Sequence, residues 1–259
     1  MWKPWTAWAA LLLGFAGALA GARALGIAAS AGGASLDDPP GWVNIAATAV
    51  QDLSLIAGAV FFARLPGRAR AEDFGLRATA VGRGIGLAIV CVVAFFLFTL
   101  VWVLITGAHE PATKLLDELH VRESTLSVIA VAALVCVVAP FAEEFVFRGY
   151  FFTAMRGWRG MGPAAVVTGI AFGAIHLGST SVVFLVPLAF FGFALCILYD
   201  RTGSLYPGIA AHAVNNAIAF GSSEHWGWQI PVVAAGSLAL IAAAGLTISR
   251  LQPASPSSG

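Results

Sequence analysis

Hydrophobic residues fall in eight long unbroken stretches, at approximately 5–24, 43–63, 85–106, 125–147, 162–178, 181–199, 204–220 and 230–249. Each is close to the roughly 20 residues an α-helix needs to cross a hydrocarbon core. The runs are continuously apolar instead of alternating, which favours helices over a barrel, and a helix satisfies its own backbone hydrogen bonds in lipid. The expected fold is therefore all-α, a polytopic transmembrane helix bundle of about eight spans. The pattern reads as a single membrane domain over 1–259 with a flexible polar tail at 251–259, and no internal repeat is visible. The first stretch has features of a signal peptide, with Lys3 ahead of it and the small-residue run Ala18 to Ala24 after it. It is read as a retained helix; its removal would leave the orientation of the rest unchanged.

Composition agrees with the pattern. The 259 residues are 59% hydrophobic and 10% charged, against about 25% charged in a soluble globular chain. A net charge of +1 gives no reason to expect nucleic acid as a partner. Cys91, Cys136 and Cys196 all lie in apolar runs without metal-type spacing, so inert buried thiols are expected. The Ala/Gly/Arg-rich character suggests a bacterial chain, hence a multi-pass protein of the plasma (inner) membrane.

Charge distribution orients the spans. The segment from Arg64 to Arg83 holds Arg64, Arg68, Arg70, Arg77 and Arg83, which assigns it to the cytoplasm and, by alternation, places both termini there. Lys3, Arg156, Arg159, Arg201 and Arg250 then share that side, whereas Arg23, Lys114 and Arg122 lie outside. Tryptophans fall at both boundaries, Trp2, Trp5 and Trp158 inside and Trp42, Trp226 and Trp228 outside. Leu115, Leu116 and Leu119 form an apolar stripe among charges in 110–124, read as an interfacial helix on the outer surface, with a solvated loop as the alternative.

Ionisable residues inside such spans are expensive, at least about 2.5 kcal/mol each, and are functional candidates by default. The densest cluster is Glu143, Glu144 and Arg148, late in the fourth stretch. At about 100° per residue, Glu144 and Arg148 share a helix face while Glu143 points about 140° away from Arg148. Glu144 and Arg148 are thus expected to pair, leaving Glu143 without that partner in a low-dielectric setting that suits a general base. The alternative is that all three merely tie helices together.

Two other spans carry polar residues. His176 ends the pattern Phe172-Gly-Ala-Ile-His176, and His212 and Asn216 are four apart and share a face. If the fourth helix continues to about Met155 and turns near Gly157 to Gly160, Glu143 and His176 lie about 16 residues either side of the turn, level at roughly 20 Å depth. His212 is roughly 12 Å into a span starting on the same side. Pro140, Pro187 and Pro207 offer kinks by which a cavity reaches water.

These three patterns, Glu143-Glu144-Phe-Val-Phe-Arg148, Phe172-Gly-Ala-Ile-His176 and His212-Ala-Val-Asn215-Asn216, resemble the motifs of the CPBP family, which comprises CAAX prenyl endopeptidases and bacteriocin-processing or self-immunity membrane proteins. The resemblance covers about 125–220, the expected catalytic core, and implies an intramembrane endopeptidase. It implies that Glu143 activates the attacking water together with His176, that His212 and Asn216 stabilise the oxyanion, and that Glu144 and Arg148 hold the site in shape. Asn215 competes with Asn216 for its role, and only the spacing favours the latter. The implied partners are membrane lipid and a membrane-associated peptide or protein, lipidated substrates included.

The family has been described both as metallopeptidases and as glutamate-dependent enzymes. A zinc site would draw on Glu143, His176 and His212. No HExxH is present, since His109-Glu110 is followed by Pro-Ala-Thr113, and a metal-free glutamate mechanism without cofactor is the favoured expectation. There is also no GxSxG serine or GxGD aspartate motif, and the Gly82 to Gly86 cluster is no nucleotide fingerprint. Asp52, midway along the second span, stays unexplained; a partner on a neighbouring helix or a place on a cavity wall would account for it. A proton- or solute-coupled transporter is disfavoured by the lack of inverted repeats. A non-catalytic scaffold or immunity protein remains the principal alternative.

Overall fold

The structure, a computed structural model, describes residues 2–108, 119 and 124–251. The eight apolar stretches become eight helices: α1 (Pro4–Ala31), α2 (Gly41–Arg64), α3 (Val81–Thr106), α4 (Thr125–Arg159), α5 (Met161–Ala174), α6 (Leu185–Thr202), α7 (Tyr206–Ser223) and α8 (Gln229–Leu251). Among the described residues there is no β-strand, so the protein is an all-α polytopic bundle. Among the described residues six helices are long and apolar enough to cross a membrane; α5, of 14 residues, is shorter, and α7 carries His212, Asn215 and Asn216 in an otherwise apolar run. The interfacial helix expected at 110–124 lies mostly outside the described residues, as does the tail from 252, although Leu119 is buried.

Small residues set how closely the helices approach. The first stretch, with its signal-peptide features, packs along α2 as an element of the bundle. A methyl group on Gly58 would stand 2.6 Å from the Ala10 carbonyl oxygen, and one on Gly14 2.9 Å from the Leu55 Cα. Lipid offers no hydrophobic drive between helices, so close backbone approach of this kind holds them together. Away from these seams the side chains are apolar and exposed, as Ile89, Leu97 and Leu104 are on α3, a surface suited to lipid and costly in water.

Helix α4 is the axis of the fold, packing against α1, α2, α5, α6, α7 and α8. Every residue from Phe145 to Phe152 is buried. The helix is not regular: Leu134–Val138 and Phe145–Phe152 are wound in the wider π form, on either side of the ordinary turn Ala139–Glu144. Such widening is frequent at functional sites. In the first π segment Ala139 N–H bonds to Leu134 O, five residues back. The next donor in that register belongs to position 140, a proline, which has none. Val135 O is therefore free for another partner.

The arginine-rich connection between α2 and α3 also folds back into the bundle. Phe74, in the short 3₁₀ turn Ala71–Phe74, is buried and stacks on Phe145 with ring centroids 4.4 Å apart. Leu205 N–H bonds to Gly75 O at 2.9 Å, Arg77 Nε to Gly203 O at 2.6 Å, and Ser204 Oγ to Arg77 O at 2.6 Å. Arg156 pairs with Asp200 at 2.8 Å. These contacts gather the α2–α3 connection and the ends of α4 and α6 at one end of the bundle, and they anchor the start of α7.

Candidate active site

Glu143 and Glu144 sit at the close of the ordinary turn of α4, where the chain enters its second π segment. Arg148 Nη1 bonds to Glu144 Oε1 at 2.7 Å, and both side chains are fully enclosed. The same guanidinium donates from Nη2 to Gly192 O on α6 at 3.1 Å and lies 4.4 Å over the Phe172 ring. A buried charge needs this much company, because an ion in apolar surroundings is tolerated only when paired and hydrogen-bonded. The Thr153 hydroxyl caps Arg148 O at 3.0 Å, five residues back, in the register of the π segment.

From α7, His212 enters between the two carboxylates. Its Nδ1 lies 3.1 Å from Glu144 Oε1, and its Nε2 faces Glu143 Oε2 at 3.8 Å. Glu144 is an acceptor in the first contact, so Nδ1 carries the hydrogen and Nε2 is the atom turned to Glu143. The 3.8 Å separation is too long for a hydrogen bond; a small polar atom placed to one side would reach both at about 2.8 Å. Glu143 is 15% exposed where Glu144 is 1%. One carboxylate is thus committed to structure, and its neighbour's side chain is partly exposed, with Oε2 enclosed but lacking a protein hydrogen-bond partner. Phe172 and Phe191 meet the His212 ring edge-on at 5.7 and 5.5 Å and fix its plane.

His176 was expected within the fifth span; it lies just past the end of α5, in a tighter turn. Its backbone N–H bonds to Gly173 O, and its Nδ1 to Phe172 O at 2.8 Å. A ring nitrogen facing a carbonyl carries the hydrogen, so neutral His176 presents its lone pair at Nε2. It is half-buried against Phe172, ring centroids 5.1 Å apart. Among the described residues His176 makes no hydrogen bond with Glu143; the polar group set against Glu143 is His212.

Asn216 also faces α4. Its Nδ2 donates to Val135 O at 2.9 Å, the carbonyl that Pro140 deprives of a backbone donor, and its Oδ1 accepts from Asn215 Nδ2 at 3.3 Å. One amide hydrogen of Asn216 remains uncommitted. The two asparagines therefore act as one hydrogen-bonded unit.

Several contributors escape a reading of the motifs as charged residues alone. Phe172, quoted for its spacing, is the wall shared by Arg148, His176 and His212. Gly192 admits it, since a methyl there would stand 2.8 Å from the Phe172 Cβ. Gly208, one turn before His212, leaves room for Glu144 Oε2, which a methyl would approach to 3.0 Å. Asp52 is buried on α2. Among the described residues no three His, Cys, Asp or Glu side chains gather closely enough to hold a metal ion; Glu143, His176 and His212 do not form a ready ligand set.

Fold and site together define a polytopic helical membrane protein with carboxylates on α4, His212 on α7 and His176 in the turn after α5. Residues 125–218 match the family described as type II CAAX prenyl endopeptidase, Rce1-like. This match contains all three motifs and is in keeping with the CPBP resemblance; α1 to α3 and α8 lie outside it. No curated protein and no solved structure matches the chain.

Proposed function

We propose that this protein is an intramembrane endopeptidase that hydrolyses a peptide bond in a membrane-associated peptide or protein by a glutamate-activated water. The observation that carries the reading is the division between the adjacent carboxylates. Glu144 is held by Arg148 and His212 Nδ1, whereas Glu143 is partly exposed and its Oε2, beside His212 Nε2, makes no protein hydrogen bond. A base must be free to take a proton, and the group that shapes the site must not be.

In the proposed reaction Glu143 takes a proton from water, with the His176 Nε2 lone pair accepting the water's other hydrogen bond. The hydroxide attacks the scissile carbonyl carbon. His212 in its doubly protonated form, with Nδ1–H on Glu144 and Nε2–H free to donate, and the uncommitted amide hydrogen of Asn216 receive the oxyanion; a preorganised donor of this kind is worth about 3 kcal/mol of barrier. Collapse breaks the C–N bond, and Glu143 returns its proton to the departing amine. Glu144 and Arg148 hold His212 and α4 in register and take no part in proton transfer. Every step uses groups of the chain itself, and no metal enters.

The test is to incubate the purified protein in detergent with a peptide library, lipidated members included, and to read products by mass spectrometry. Cleavage by wild type and none by folded Glu143→Gln is expected. A folded Glu143→Gln protein that still cleaves would remove the assignment. Absence of any cleavage by wild type across the library would favour a binding or immunity role for the same fold.

A further inference from the structure

One deep carboxylate has no place in this scheme. Asp52 sits midway along α2, 3% exposed, and among the described residues it has no ion pair or hydrogen bond; its Oδ2 is fully enclosed and unpartnered. A buried unpaired polar group costs free energy, so its position calls for a reason.

Two places were open to it, the wall of a cavity or a partner on the next helix. The crevice between α1 and α2, about 520 Å³, is lined from α2 by Asn44, Ala47, Thr48 and Gln51, and Asp52 is not among its lining residues. Asp52 lies on a different face of α2. The helix packs against Ala139–Glu144, the turn that carries Glu143. Glu143 Oε2 is likewise enclosed and without a partner. Two packed helices thus each carry an enclosed carboxylate oxygen without a hydrogen-bond partner, and among the described residues neither Asp52 nor Glu143 is paired with a lysine or arginine. Glu144, next in sequence, is neutralised by Arg148; the Asp52–Glu143 pair has no such compensation.

Neighbouring carboxylates repel, and a fold bears such a cost mainly where function requires it. We infer that Asp52 is a positioning residue for Glu143, its buried carboxylate on α2 confronting Glu143 across the helix seam and holding that side chain toward His212 and the reacting water. This rests on the peptidase reading for its consequence, but the pairing itself is a property of the fold.

The experiment is a double-mutant cycle on the full-length protein in detergent, read by thermal unfolding and by turnover of a cleaved peptide. Asp52→Asn keeps shape and removes the charge. It is expected to raise the melting temperature by about 2 to 4 °C in wild type and to leave it unchanged in a Glu143→Gln background. In the same variant kcat is expected to fall about tenfold to hundredfold with KM unchanged, and Asp52→Glu is expected to recover part of the loss. An Asp52→Asn protein that is destabilised, or whose effect is the same in both backgrounds, would show Asp52 to be structural and overturn the inference. So would full activity in Asp52→Asn. If wild type cleaves nothing, the peptidase reading fails, and the unfolding cycle alone decides whether the two carboxylates are coupled.

Discussion

Asn216 Nδ2 donates to the carbonyl of Val135 at 2.9 Å, closing a gap that Pro140 opens in the backbone of α4. The contact ties α7 to the first π segment just before Glu143. It also spends one amide hydrogen and thereby aims the other. Asn216 thus has a structural and a proposed chemical task, and the two are separable. Asn216→Ala is expected to cost about 0.6 to 1.7 kcal/mol of stability, the range of interhelical hydrogen bonds in membranes, and about 100-fold or more in kcat. In a Pro140→Ala background, where position 140 again has an N–H to offer, the stability cost of Asn216→Ala is expected to shrink while the loss in kcat persists. Thermal unfolding and single-substrate kinetics on the four proteins check this; a kcat loss that shrinks in parallel would make Asn216 structural only.

The pair Glu144 and Arg148 predicts a different phenotype from Glu143. Glu144→Ala leaves the buried Arg148 without its carboxylate, beside Gly192 O and the Phe172 face, and Arg148→Ala leaves Glu144 without its guanidinium, beside His212. Removing one member of a buried pair costs about 3–5 kcal/mol. Both variants are expected to show reduced folded yield and earlier thermal unfolding, whereas Glu143→Gln accumulates normally. Wild-type thermal stability in either variant would contradict the pairing as a stabilising element.

The i, i+4 spacing of Glu144 and Arg148 made their pairing legible in the chain, and continuous apolarity made the eight helices so. Other features depend on partners remote in sequence. The π winding of α4 rests on a proline whose effect depends on register, and on Asn216 and Thr153 arriving to take released carbonyls. His176 was placed in a span because 162–178 is apolar throughout, but α5 ends at Ala174, and the His176 ring bonds back to Phe172 O. The clasp of Phe74 and Arg77 on the bundle was hidden because a loop rich in arginine reads as solvated. Asp52 was visible as an anomaly, but its neighbour was not, since that depends on which face of α2 meets α4.

The contacts among the α2–α3 connection, the end of α4 and the turn at Gly203 put Arg68, Arg70, Arg77, Arg156, Arg159 and Arg201 at one end of the bundle. By the bias of basic residues toward the cytoplasm, that end is expected to face inward. Single cysteines introduced in 65–82 should be protected from an impermeant thiol reagent added to intact cells, and those in 221–229 should be labelled. The reverse pattern would invert the topology and the depths derived from it.

The glutamate mechanism predicts that activity survives strong chelation. A catalytic zinc takes about three protein ligands and keeps a position for water, which in this chain would require Glu143, His176 and His212. His212 Nδ1 and Arg148 already occupy Glu144, so drawing Glu143 into a ligand set leaves neither motif glutamate free as the base. The Nε2 of His212 faces Glu143 at 3.8 Å, and the His176 ring packs on Phe172. The metal-free scheme assigns each of these residues one task and leaves Glu143 as the base. Protein dialysed against EDTA or phenanthroline is therefore expected to keep most of its cleavage rate and to contain substoichiometric zinc by elemental analysis. Loss of activity restored specifically by added zinc would instead assign Glu143, His176 and His212 as ligands and transfer the role of base to another group.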